Sequence, residues 1–218
     1  MGAVIGDLLP LAVGVAISPI PIVAAILMLL SANAGSASVG FGIGWVVGIV
    51  AATGIFILLA GTVGASDDDG SSSVSWLKVI LGALLVVLAA KQWRERGDTS
   101  TPKWMEAIDQ LTLPKAAGLG VVLAAVNPKN LLLCVSAGVT IGAGGLDGGG
   151  EVVALVVFTV LAASTVVIPV VGYALAADRL REPLASAKTW LQAQNHQVMA
   201  IVLLVMGAVV IGKGLGGF

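Results

Sequence analysis

The chain has 218 residues, 58% of them hydrophobic and 11% charged, with a formal net charge of −1. A soluble domain carries roughly a quarter of its residues charged, so water is excluded as the main solvent and the composition predicts an all-α polytopic membrane protein. The near-zero net charge, with no basic stripe interleaved with aromatics, excludes a nucleic-acid partner.

Six apolar runs are long enough to cross a hydrocarbon core about 30 Å thick. The first, Val4 to Leu30, has no Lys or Arg before it and is too long for the apolar region of a secretion signal, so it is expected to stay in the mature protein. It contains Ser18-Pro19-Ile20-Pro21 near its middle. Proline removes a backbone donor and clashes with the preceding turn, so the helix should break there and restart with Ser18 as its cap and Pro19 in its first position. The second run, Val39 to Gly61, repeats Gly40, Gly44, Gly48 and Ala52 every four residues. This smooth face is built for close helix approach, either to another span or to a second copy of the chain, so a homo-oligomer through Gly40, Gly44 and Gly48 is one expectation.

After Asp67-Asp68-Asp69 comes the third run, Val74 to Ala90, and then a basic loop with Lys91, Arg94, Arg96, Lys103 and Lys115. In it, Thr101-Pro102 reads as the start of a short interfacial helix with Trp104, Met105, Ile108 and Leu111 on one face. The fourth run, Ala116 to Val139, carries Asn127-Pro128-Lys129-Asn130, again a capping side chain followed by proline, and the single cysteine, Cys134, expected to pack as a small apolar residue. The fifth, Val152 to Ala176, is followed by Arg179, Arg181 and Lys188 and by Leu180, Leu184, Ala187 and Leu191 at helical spacing beside Trp190, read as a headgroup-level anchor. The sixth is Val198 to Gly212, with the only histidine, His196, at its entrance. Gly207 to Lys213 falls short of a phosphate-binding loop because Gly214 stands where Ser or Thr is needed.

Lys and Arg gather on alternate loops, which puts those loops in the cytoplasm and both termini outside, in the plasma membrane. Ser18-Pro19 and Asn127-Pro128 lie half a chain apart, so the sequence reads as two three-span copies. An odd number of crossings inverts the second copy, an architecture common in secondary transporters. The fold expected is therefore six transmembrane helices in two inverted three-helix repeats with broken first and fourth helices. The first repeat covers 1–97, a cytoplasmic linker with the amphipathic helix 98–114, and the second repeat 115–218.

Inverted repeats bring the two breaks together at the midplane, where half-helix N-termini offer free N–H groups. Lys129 is the sole ionisable residue deep within a span, at a cost of about 3 kcal/mol. It either faces an aqueous cavity, pairs with carbonyls freed by the break, or holds an anionic group. Ser18, Pro19, Pro21, Asn127, Pro128, Lys129 and Asn130 are the expected substrate-binding residues. Without a Cys, His or carboxylate cluster at ligand spacing, no metal site or cofactor is expected, and without an acid/base pair in the spans no catalytic residue is.

Ser18-Pro19-Ile20-Pro21 and Asn127-Pro128-Lys129-Asn130 resemble the two motifs of the lysine-exporter superfamily, a Pro-rich motif in the first span and Asn-Pro-Lys in the fourth. With the Gly-rich second span, the long basic loop and the Ile-Pro form of the first motif, the chain looks most like the peptidoglycolipid addressing proteins of actinobacteria. The resemblance covers the whole chain and implies export, of amino acids in one branch and of cell-envelope glycolipids in the other. The second span lacks the acidic residue of the amino-acid exporters. Thiol-transferring relatives use a cysteine in each half, and the first half here has none. The expected partners are the bilayer and a glycolipid or small polar substrate. Beside the carrier stand an adaptor that docks a lipid-synthesis or export complex and, weakest, an intramembrane lipid-modifying enzyme. Lys129→Ala should disable the carrier, whereas disrupting the Trp104 helix should disable the adaptor.

Overall fold

The computed structural model describes residues 1–31, 33–64, 70–96, 108 and 111–216. The Asp67 to Asp69 run and most of the helix expected to start at Thr101 lie outside the described residues, although Ile108 is buried and Leu111 packs against the core. Among the described residues every long element is a helix: α1 (Gly2–Ala16), α2 (Pro19–Leu30), α3 (Ala34–Gly64), α4 (Gly70–Arg94), α5 (Leu113–Ala125), α6 (Pro128–Gly142) and α7 (Gly148–Leu215). Apolar sequence leads to helix because hydrocarbon offers the backbone no partner, and a helix satisfies its own N–H and C=O groups.

Both expected breaks are present. The chain bends by 52° between α1 and α2 and by 66° between α5 and α6. α3, α4 and α7 each contain a stretch long and apolar enough to cross a membrane, and each bent pair taken as one crossing brings the number to five.

α7 departs from expectation. It runs for 68 residues, about 100 Å if straight, where a single crossing needs about 30 Å. Its one non-helical residue is Ala176 (φ −151, ψ 52), which divides it into arms of 148–175 and 177–215. The loop expected between the last two spans is therefore helix throughout. Leu180, Leu184 and Leu191 do lie at helical spacing, but they pack against Ile26, Leu29 and Val170 instead of serving only as a free anchor. Trp190 is exposed.

Glycine sets how closely the helices approach. A Cβ on Gly120 would stand 2.5 Å from the Phe41 carbonyl oxygen, and one on Gly48 would stand 2.6 Å from the Ala124 methyl. Gly40 and Gly44 abut the backbone of Leu113 and Ala117 in the same way. The Gly40/Gly44/Gly48 face is thus filled by α5 of the same chain, and homo-oligomerisation through it is corrected: backbone already lies where a second copy would have to sit. The contact continues at Gly138 against Thr53 and Gly142 against Ile57, so α3 runs parallel to the whole α5/α6 pair.

The first arm of α7 runs parallel to α1/α2 in the same manner. Gly150 lies at Met1, Thr165 at Ala16, and Val170 at Ile26 and Leu29. The second arm runs antiparallel to α4, with His196 at Gln92, Gly207 at Gly82 and Gly214 at Val79. These pairings gather the N-terminus, the 142–150 turn and Lys213 at one end of the bundle, where Lys213 Nζ lies 2.9 Å from Asp7 Oδ1. Gln92, His196 and the start of α5 lie at the other. Phe41, Trp45, Leu133, Phe158 and fully buried Cys134 form part of the core between them.

Candidate functional site

The first break is made by two prolines. In a continuous helix the N–H of residue 19 would reach the Val15 carbonyl and that of residue 21 the Ile17 carbonyl; neither exists in Pro19 or Pro21. α1 accordingly ends at Ala16, and α2 begins with Ser18 in the N-cap position. Ser18 does not cap, however. Its side chain makes no cap hydrogen bond, and its fully buried Oγ has no partner among the described residues. The expectation of a serine-capped restart is corrected. With Pro19 and Pro21 lacking N–H groups and Ile22 N–H bonded to the Ser18 carbonyl at 3.4 Å, few donors remain for the Ser18 oxygen to accept. The first break is consequently richer in free carbonyls than in free N–H groups.

Those carbonyls are met from elsewhere in the chain. Thr165 Oγ1, on the first arm of α7, donates to the Ala16 carbonyl at 2.6 Å. Lys129 Nζ, at the start of α6, donates to the Ile17 carbonyl at 3.4 Å. A cation here sits against the C-terminal end of α1, where the helix dipole favours it.

The second break draws its side-chain partners from its own motif. Asn127 caps α6, its Oδ1 accepting from Lys129 N–H at 3.1 Å, and its own N–H bonds the Val122 carbonyl at 3.2 Å. That displacement by one residue frees the Leu123 carbonyl, which Asn130 Nδ2 then meets at 3.0 Å. Asn130 is fully buried, and its Oδ1 has no partner among the described residues.

Lys129 therefore joins the two motifs: its backbone belongs to the second break and its ammonium to the first. It is 2% exposed, and the 3.4 Å bond to Ile17 uses one of its three N–H donors at long range. Beside it lies a cavity of about 400 Å³. Asn127, Pro128 and Lys129 form one wall, with Ile20 contributed by the first break. Apolar wall comes from Leu88 of α4, Val122 of α5 and Val126 just past its end, and Met199 and Leu203 of the second α7 arm. Lys91 and Gln92 line it towards the end of the bundle that carries the basic segments, and Gln92 Oε1 is held by His196 Nδ1 at 2.8 Å.

Of the residues expected from sequence, Asn127, Pro128 and Lys129 line the cavity; Ser18, Pro19, Pro21 and Asn130 are buried around the breaks without lining it. Thr165 and Lys91 were not among them. Pro19 and Pro21 imply uncovered carbonyls at Val15 and Ile17, of which Lys129 meets Ile17, whereas Thr165 meets Ala16, which the prolines alone do not single out.

Residues 8–216 match the family described as Sap, sulfolipid-1-addressing protein, and the chain belongs to that family. No curated protein and no solved structure matches the chain.

Proposed function

We propose that this member of the sulfolipid-1-addressing family carries an anionic cell-envelope lipid, a sulfated or otherwise acidic glycolipid, across the plasma membrane through the site where the two broken helices meet. The observation that carries the reading is Lys129, buried, tied to the first break and facing a cavity whose lining, among the described residues, includes no carboxylate. A buried ammonium with spare donors beside a cavity attracts an anion. The lipid branch is favoured over amino-acid export of the lysine-exporter type because Val122 and Val126, on the cavity wall, are 48% and 64% exposed. That flank opens where acyl chains lie, whereas an amino acid would need a polar lining.

The same pairings support an inverted-repeat transport architecture. Counting the arms of α7 separately gives six crossings. A pseudo-twofold axis that exchanges the halves would exchange the α3 pairing with α5/α6 for the α7 first-arm pairing with α1/α2, and would turn the α4 pairing with the α7 second arm into itself. All three are present in the parallel or antiparallel sense that this exchange requires. Basic residues at one end orient the termini outward, and the lysine-exporter superfamily remains the broader relationship that the two motifs suggest. The adaptor reading rests on the Trp104 segment, which lies outside the described residues.

The experiment is removal of the gene followed by complementation, with acidic lipids extracted separately from the cell surface and from the whole cell. Loss of surface acidic lipid with an undiminished total, restored by the wild-type chain, is the expected result. An unchanged surface fraction would sink the proposal.

A further inference from the structure

The cavity has the wrong lining for a sugar. Carbohydrate recognition needs several hydrogen-bonding side chains around each ring and commonly an aromatic plane to stack on. Among the described residues that line this cavity there is no aromatic and no carboxylate, and between the Lys91/Gln92 rim and the Asn127–Lys129 wall they are Ile20, Leu88, Val122, Leu123, Val126, Met199 and Leu203. A hydroxylated ring placed there would lose its water without gaining partners, a cost of roughly 1–3 kcal/mol for each unpaired hydroxyl. Its volume, about 400 Å³, is near the low end of ligand pockets, roughly 300–1,000 Å³, so a whole multi-chain glycolipid does not fit.

What does fit is a linear chain with a negative end. We infer that the cavity binds the anionic group and one alkyl chain of its lipid, the anion at Lys129 and the chain along Leu88, Val122 and Val126 towards the bilayer, while any sugar stays outside the cavity. Lys91 supplies a second cation at the rim. Its ion pair with Glu95 is 3.9 Å long between side chains that are 66% and 42% exposed, which makes it weak and leaves the ammonium free to meet an arriving anion. An incoming anionic head thus passes from an exposed lysine to a buried one, with apolar wall between them for the chain that follows. The inference rests on the proposed function for the existence of a lipid site and adds which part of the lipid that site recognises.

The test uses the full chain in phosphatidylcholine nanodiscs with two photoreactive probes of equal chain length, hexadecyl sulfate and hexadecyl maltoside, each carrying the reactive group on the chain. The sulfate probe should label residues around Val122–Val126, and unlabelled hexadecyl sulfate should compete it away. The maltoside should label them at least tenfold less. Lys129→Met and Lys91→Met should each reduce sulfate labelling severalfold, and Lys129→Arg should retain most of it. Maltoside labelling equal to or above sulfate labelling would overturn the inference and leave the lipid site itself standing. Labelling of the cavity by neither probe would overturn both. The wild-type comparison of the two probes is decisive even if a lysine variant does not fold.

Discussion

The two helix breaks begin from similar sequence, a small polar residue followed by proline, and end as opposite structures. At Asn127 the side chain caps the next helix and Asn130 covers the Leu123 carbonyl that the break exposes, so both side-chain bonds of the second break come from its own motif. At Ser18 the serine caps nothing, and the exposed carbonyls of Ala16 and Ile17 draw Thr165 and Lys129 from the other half of the chain. The difference is one extra proline. Pro21 deletes the donor that would have covered Ile17, so the first break can be stable only when docked to the second half. A self-contained break and a dependent one, placed side by side, give a reason for a lysine to be buried between them.

Mutations can break this contrast. The largest stability effect is expected for Asn130→Ala, which orphans the Leu123 carbonyl and leaves a void in the core. It should cost about 2 kcal/mol and lower the thermal unfolding midpoint in detergent; no change would mean that the second break does not rely on Asn130. Thr165→Val comes next, because it keeps the shape and deletes the donor to Ala16. Interhelical hydrogen bonds in membranes average about 0.6 kcal/mol and reach about 1.7, and the short 2.6 Å bond places this one towards the upper end. A midpoint indistinguishable from wild type would remove the claim that the first break is held from α7.

Capping supplies the sharpest pair. Asn127→Ala should cost about 1 kcal/mol, whereas Ser18→Ala should change stability by less than about 0.5 kcal/mol, since Ser18 Oγ makes no bond to lose. Equal losses at the two positions, measured side by side by chemical unfolding, would erase the difference between the breaks.

How much of this was legible in sequence follows the range of each interaction. Proline acts within one turn, so both breaks could be read from residue identity, and a lysine amid apolar sequence is conspicuous by itself. The role of the Gly40/Gly44/Gly48 face was readable but its partner was not, because spacing records that a backbone comes close without recording whose backbone it is. Thr165 could not be singled out: a threonine in a span usually bonds its own preceding turn, and Thr53, Thr140 and Thr159 look equivalent in sequence. The two arms of α7 meet at Ala176 with no separate loop between them, because the segment whose helical spacing was legible in Leu180, Leu184 and Leu191 runs on without interruption into the last span. Ser18 was expected to cap by analogy with Asn127, and counting the donors that Pro19 and Pro21 remove would have argued against it.

The central claim is that Lys129 is buried for the sake of an anion and not for the fold. Replacing it with Met deletes the charge, keeps an unbranched stem and sacrifices only the long 3.4 Å bond to Ile17, so the protein should insert and unfold as wild type does, or be slightly more stable. The direct measurement is the rate at which acidic lipid reaches the surface of cells that contain equal amounts of wild-type, Lys129→Met and Lys129→Arg protein. The account predicts a fall of about tenfold or more for Lys129→Met, as expected for losing a charge-assisted contact of about 1.5–3 kcal/mol, with part of the rate retained by Lys129→Arg. A wild-type rate from Lys129→Met would contradict it and leave the lysine as no more than a tie between the two breaks.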